Sequence, residues 1–142
     1  MSNEQKVTTE TGALSHPHVQ LVKRYQAAMA TGDFATGATF FAPDVRYVVP
    51  GDNPLSGDFV GAEQVMGYFG KLMEVTGGTY RITEMLWLVC ENEVALVTTD
   101  YAERKGQPLI WSETIVFEII DGKKKFIRLF QSDQETVDAF FR

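Results

Sequence analysis

The chain has 142 residues, of which 44% are hydrophobic and 12% aromatic, and its formal net charge is -6. This length suits one domain with a sizeable core. The acidic balance disfavours nucleic acid and anionic membranes as partners, because both are bound by basic surfaces. One cysteine, Cys90, excludes an intrachain disulfide and a cysteine zinc cluster. No targeting segment is recognisable and no apolar run reaches about 18 residues, so the expected location is cytoplasmic.

The first part of the chain predicts a tail followed by two helices. Residues 1–14 are polar and aperiodic, so we expect a disordered tail before a single domain over residues 15–142. A helix is predicted from Ser15–Pro17 to a stop at Thr31–Gly32. Asp33 then caps a short second helix. The second helix is predicted to end at Pro43 and to carry Phe34, Phe40 and Phe41.

The rest of the chain changes from helical to strand periodicity. A strand over 44–49, a turn-rich loop over 50–61 and a helix over 61–75 come first. Four long strands follow over residues 79–90, 94–104, 109–120 and 124–132, with a terminal helix after Asp133. This order predicts an α+β fold, in which three helices of the N-terminal half wrap a curved antiparallel sheet around a central pocket. The basic run Lys123–Lys125 is predicted to be the solvated tip of a hairpin.

The turn at Lys105–Gly106 sets the register of the central hairpin. A symmetric register places Glu113 opposite Thr98 and Trp111 opposite Asp100, whereas a slip of one residue would exchange Asp100 for Tyr101. The face so defined holds Leu96, Thr98, Asp100, Trp111, Glu113, Ile115 and Phe117, and on the last strand a shared face holds Phe126, Arg128 and Phe130. Register alone leaves open which face is inside. Because both faces are apolar, the outer one is predicted to form a homodimer interface.

These residues resemble the nuclear transport factor 2-like superfamily, and within it the ketosteroid isomerase and SnoaL-like polyketide cyclase branch. The resemblance covers residues 15–132 and is carried by Val22–Ala28, Gly32–Phe34, Phe40–Val45, Pro50–Gly61, Asn92–Glu93 and Arg128–Phe130. It implies a cone-shaped, cystatin-like fold with a pocket for a small, mostly apolar molecule and no cofactor. This fold hosts enzymes, binding proteins and transport adaptors alike.

The resemblance also implies which residues to inspect. In ketosteroid isomerases a tyrosine on the first helix and a carboxylic acid on a late strand form an oxyanion hole, and an aspartate before a proline moves the proton. The matching positions in this sequence are Tyr25, Glu113 and Val49. Valine cannot accept a proton, so ordinary ketosteroid isomerase activity is not expected.

Two hypotheses about function stay open. In the first, the protein is a cofactor-independent acid/base enzyme of the isomerase, cyclase, dehydratase or epoxide hydrolase type. Tyr25 would donate to an oxygen, Glu113 or Asp100 would move the proton, and Arg128 would set their charge state, a set similar in residue type to that of limonene epoxide hydrolase. In the second, the chain is a non-catalytic ligand-binding or dimerisation module. Solvent exposure of both Asp100 and Glu113 would defeat the first hypothesis.

The remaining candidates would contact the ligand. They are Trp111, Thr98, Val49, Phe126 and Phe130. No metal site is predicted, because His16 and His18 are separated by two positions and point to different sides of a helix.

Overall fold

A computed structural model describes residues 7–8 and 10–142 of the chain. The strands in these residues are β1 (Val7–Thr8), β2 (Phe41–Val49), β3 (Gly57–Val60), β4 (Arg81–Cys90), β5 (Glu93–Arg104), β6 (Gln107–Ile120) and β7 (Lys123–Gln131). The helices are α1 (Glu10–Ala13), α2 (Pro17–Ala30), α3 (Phe34–Ala38), α4 (Ala62–Val75) and α5 (Gln134–Phe141). Within the described residues, none of the helices combines the length and apolar character that crossing a membrane requires.

One curved, open sheet has the strand order β1-β4-β5-β6-β7-β2-β3. The predicted α+β class is confirmed. The sheet is mixed rather than purely antiparallel, because β2 runs parallel to β7 while the other neighbours are antiparallel. Side-chain alternation is the same in both pairing directions, so the sequence pattern could not reveal this parallel pair.

Two predicted turns set the register of the long strands. Lys105 and Asp121 have φ near 52°, and each is followed by a glycine with positive φ, as two-residue hairpin loops require. The β5–β6 ladder consequently pairs Glu113 with Thr98 and Trp111 with Asp100, as predicted. The alternative register, with Tyr101 on the inner face, is not adopted.

The helices pack on one face of the sheet through apolar stripes. Helix α4 buries Val65, Tyr68 and Leu72 at helical spacing, and α2 buries Val22 and Tyr25. Helix α5 starts at the predicted cap, where the Asp133 side chain accepts from the backbone N–H of Thr136.

Three local predictions were wrong. The second helix ends at Ala38, and Phe41 and Pro43 belong to β2. Proline lacks a backbone N–H, and β2 tolerates Pro43 because its pairing with β7 is irregular between Phe41 and Arg46. The predicted loop over 50–61 contains β3, which pairs with β2. Within the predicted tail, residues 7–8 form β1 and residues 10–13 form α1; residues 1–6 and 9 lie outside the described residues.

Candidate functional site

A cavity of about 610 Å³ lies between the curved sheet and helices α2, α4 and α5. Its wall is mostly apolar and aromatic, and it carries the polar groups of Tyr25, Tyr47, Tyr68, Tyr80, Glu113, Lys124 and Gln131. Its rim includes the exposed apolar side chains of Phe34, Met73 and Met85. The site is therefore an apolar space with a few polar groups, a usual arrangement for binding a small molecule.

Two buried carboxyl groups lie at one end of the inner face. Glu113 is 6% exposed, and its Oε1 accepts from Trp111 Nε1 at 2.6 Å and from Gln131 Nε2 at 2.8 Å. Asp100 is fully buried; it accepts from the Tyr80 hydroxyl at 2.6 Å and from the Thr98 hydroxyl. Glu113 lies on the cavity wall, whereas Asp100 lies behind it. The exposure that would have defeated the enzyme hypothesis is therefore not found.

The two carboxyl groups share a perturbed titration. Burial and, to a smaller extent, the charge of Asp100 raise the pKa of Glu113 to about 8, against the opposing hydrogen bonds from Trp111 and Gln131. Burial also raises the pKa of Asp100, and its hydrogen bonds from Thr98 and Tyr80 oppose that rise. Because the two groups interact, they titrate as a pair. At neutral pH the pair therefore retains a proton.

Three buried tyrosines stand along the same wall. Tyr25 packs edge-on against Phe40 and is 6% exposed. The rings of Tyr47 and Tyr68 are 5.1 Å apart. Burial raises the pKa of all three hydroxyls, so each stays protonated and is a donor at neutral pH. Val49 also lines the wall, at the position where the resemblance would place a carboxylate base.

Sequence analysis missed several polar residues of the cavity wall, namely Tyr47, Tyr68, Tyr80, Gln131 and Lys124, of which Lys124 is the most unexpected. It was predicted to be solvated with Lys123 and Lys125, yet it is fully buried and lines the cavity. Strand β7 already begins at Lys123, so its residues alternate sides from there, and Lys124 pairs with the buried Ile119 of β6. The alternation of β6, had it been continued across the turn, would have signalled an inward Lys124.

The inner face of β7 was predicted wrongly. Phe126, Arg128 and Phe130 point away from the cavity; the inner face carries Ile127, Leu129 and Gln131. The β6–β7 register shifts between Glu118 and Ile119, and this bulge reverses the alternation that a regular strand would continue.

Arg128 consequently cannot control the buried carboxyl groups. Its Nη2 pairs with Glu93 Oε2 at 3.1 Å on the exposed face, so the predicted Asp100–Glu113–Arg128 set does not form. Thr98 is buried as a donor to Asp100 and does not contact the cavity. Of the predicted ligand contacts, Trp111 and Val49 lie on the cavity wall.

Comparison with known proteins agrees with this architecture. The profile of the SnoaL-like domain matches residues 22–126. The chain belongs to the SnoaL-like domain family. It is 32% identical to the uncharacterized protein Rv0034 of Mycobacterium tuberculosis over 124 residues, which span 87% of this chain and 95% of that relative.

Solved structures of SnoaL-like and related proteins share the fold. Bal32a, from a soil-derived mobile gene cassette, superposes with a TM-score of 0.79 at 28% identity, covering 88% of this chain and 96% of its own. A Xanthomonas campestris protein of unknown function with a cystatin-like fold gives 0.77 at 32% identity, covering 89% and 98%. Less similar chains described as NTF2-like or as putative polyketide cyclases share the fold as well. The predicted family is thereby confirmed.

Proposed function

We propose that this SnoaL-like protein binds a small, mostly apolar molecule in its cavity and transforms it by cofactor-independent proton transfer. The observation that supports this proposal is the Glu113 carboxyl on the wall of an otherwise apolar and aromatic space. A carboxyl group with a pKa near the working pH serves as both proton donor and acceptor.

The neighbours of Glu113 support both directions of proton transfer. When Glu113 gives up its proton, the carboxylate keeps the donors Trp111 Nε1 and Gln131 Nε2, which stabilise the negative charge. The buried Asp100 opposes that charge and so favours the return of the proton. Asp100 acts through Glu113, because it lies behind the wall.

Tyr25 is the proposed donor to a ligand oxygen. It lies on the cavity wall, and its hydroxyl is protonated at neutral pH. An oxygen that gains negative charge during isomerisation, cyclisation or dehydration would be stabilised by such a donor in a dry site. Because Val49 occupies the position of the isomerase base, no carboxylate is present there, and Glu113 is the proposed residue that transfers the proton.

A second candidate function is association through the outer face of the sheet. Ile110 and Phe130 are 68% and 51% exposed there, and Arg128 lies beside Phe130. An exposed apolar sheet face of this kind favours a homodimer. Native mass spectrometry of the wild type and Phe130→Glu distinguishes a dimer that uses this face from a monomer.

The proposed function is tested by ligand screening with matched variants. Thermal shift and native mass spectrometry are run against steroids, polyketide-like aromatics and terpene epoxides. Hits are then assayed for turnover with Glu113→Gln and with Glu118→Gln, a control on the outer face of the same strand. Turnover that is lost only in Glu113→Gln supports the proposal. Binding without turnover supports a ligand-binding module instead, and the absence of any hit contradicts both.

A further inference from the structure

The amine of Lys124 is enclosed by aromatic rings. Its Nζ lies 2.9 Å from the ring centroid of Tyr25, 4.5 Å from that of Phe41 and 5.2 Å from that of Phe117. It has no hydrogen-bond partner among the described residues. The neighbouring Lys123 and Lys125, in contrast, bind the Thr39 carbonyl and the Asp44 carboxylate at the surface.

Burial favours the neutral, nucleophilic form of this amine, against the attraction that the three ring faces exert on an ammonium ion. Burial lowers the pKa of Lys124 well below its usual value, and no carboxylate is found beside it in the described residues to hold the proton. A neutral amine carries the free electron pair that a surface ammonium lacks. Desolvation in an apolar pocket is a known way to activate a lysine for attack on a carbonyl carbon.

The position of Lys124 separates it from the carboxyl pair. Lys124 and Gln131 lie seven residues apart, near opposite ends of β7, and both side chains line the same cavity of about 610 Å³. Gln131 binds Glu113, whereas the amine lies over the ring of Tyr25. The cavity thus has an amine at one end and a carboxyl pair at the other, and a proton donor beside the amine.

We propose that Lys124 captures aldehydes or ketones in the cavity as an imine. The amine nitrogen attacks the carbonyl carbon, and the carbonyl oxygen takes a proton to form a carbinolamine. In this first step the nitrogen loses one of its two protons. The hydroxyl then leaves as water and the nitrogen loses its second proton, which leaves a carbon–nitrogen double bond. Tyr25 polarises the carbonyl through its hydroxyl. Because its ring covers the fully buried amine, capture requires that this ring turn aside. This inference rests on the proposed function only in that the cavity admits an apolar ligand.

Reductive trapping tests the capture directly. The full chain is incubated at pH 7 with 2-naphthaldehyde and sodium cyanoborohydride, which reduces an imine to a stable secondary amine. Intact mass and peptide mapping then count and locate the adducts. We expect labelling at Lys124 at least tenfold faster than at Lys123 and Lys125, which serve as internal controls on the same strand. Labelling that follows surface exposure, with Lys123 and Lys125 reacting as fast as Lys124, overturns the inference.

Two further measurements separate this inference from the proposed function. 2-Naphthalenemethanol, which has no carbonyl, should bind the wild type and Lys124→Met alike and should slow the labelling of Lys124. Lys124→Met replaces the amine by an apolar side chain of similar length, so folding is kept and the adduct is lost. If the alcohol binds but Lys124 stays unlabelled, only the capture is refuted. If the alcohol fails to bind at all, the proposed apolar-ligand site is refuted too.

Discussion

Replacing Glu113 by glutamine tests whether the buried carboxyl pair holds a proton. Glu113→Gln removes the titration but keeps an oxygen that accepts from Trp111 Nε1 and Gln131 Nε2. The variant therefore resembles the protonated wild type in shape and hydrogen bonding. Any difference between them that depends on pH reports the ionisation of Glu113.

The expected magnitude comes from the raised pKa. The ordinary pKa of a glutamate is 4.5, whereas that of Glu113 in the folded protein is about 8. Between these values the folded state holds a proton that the unfolded chain has released, so the free energy of unfolding falls as the pH rises. At about 1.4 kcal/mol per pH unit, the wild type should lose about 2–3 kcal/mol relative to the variant from pH 6 to pH 8.

The variant is needed because Lys124 contributes a change of opposite sign. Its folded-state pKa is lowered, so above that pKa the unfolded chain binds the extra proton and stability rises with pH. In the wild type the two trends offset each other. Subtracting the pH dependence of unfolding of Glu113→Gln from that of the wild type cancels the contribution of Lys124. The difference is the contribution of Glu113, together with its coupling to Asp100.

Urea unfolding at pH 6, 7 and 8 provides the measurement. Trp87 and Trp111 are 3% and 6% exposed, so their fluorescence reports the loss of the core. Glu118→Gln, on the outer face of the same strand, is expected to parallel the wild type. If the wild type and Glu113→Gln also change in parallel between pH 6 and 8, Glu113 holds no proton there and its pKa is not raised by the buried site.

Three further predictions concern stability and binding. Lys124→Met should raise the free energy of unfolding at pH 7 by about 1–3 kcal/mol, because it removes an unpaired buried amine. This gain in stability should shrink toward about pH 10, where the unfolded chain also loses the proton. A lower free energy of urea unfolding in the variant would contradict this prediction. Gly51→Ala should lower the melting temperature, because φ at Gly51 is +97° and the added Cβ would lie 2.2 Å from Asp138 Oδ1. Gly67→Ala is the control, since this glycine faces open space on α4, and it should raise the free energy of unfolding by about 0.5–1 kcal/mol. Arg128→Ala should cost less than about 1 kcal/mol, since its ion pair with Glu93 is solvent-exposed, and calorimetric affinity for any cavity ligand should not change.

Local sequence patterns were sufficient to predict the long strands, most of the helices and the register of the central hairpin. Helix caps such as Asp133 and the turns at Lys105–Gly106 and Asp121–Gly122 are local features, because each depends on residues within one turn of chain. Once the turn at Lys105–Gly106 is placed, alternation sets Asp100 and Glu113 on one shared face, and the structure shows that this face is the inner one.

Tertiary structure decided what local patterns do not encode. A bulge between Glu118 and Ile119 put Arg128 outside, and the fold put Lys124 inside despite its lysine neighbours. The parallel pairing of β2 with β7 likewise joins segments about 80 residues apart, for which alternation carries no directional signal. The shared face of the two carboxyl groups could thus be predicted from strand register, whereas the side of the sheet that became the cavity, and with it the burial of Lys124, was decided by the packing of the helices.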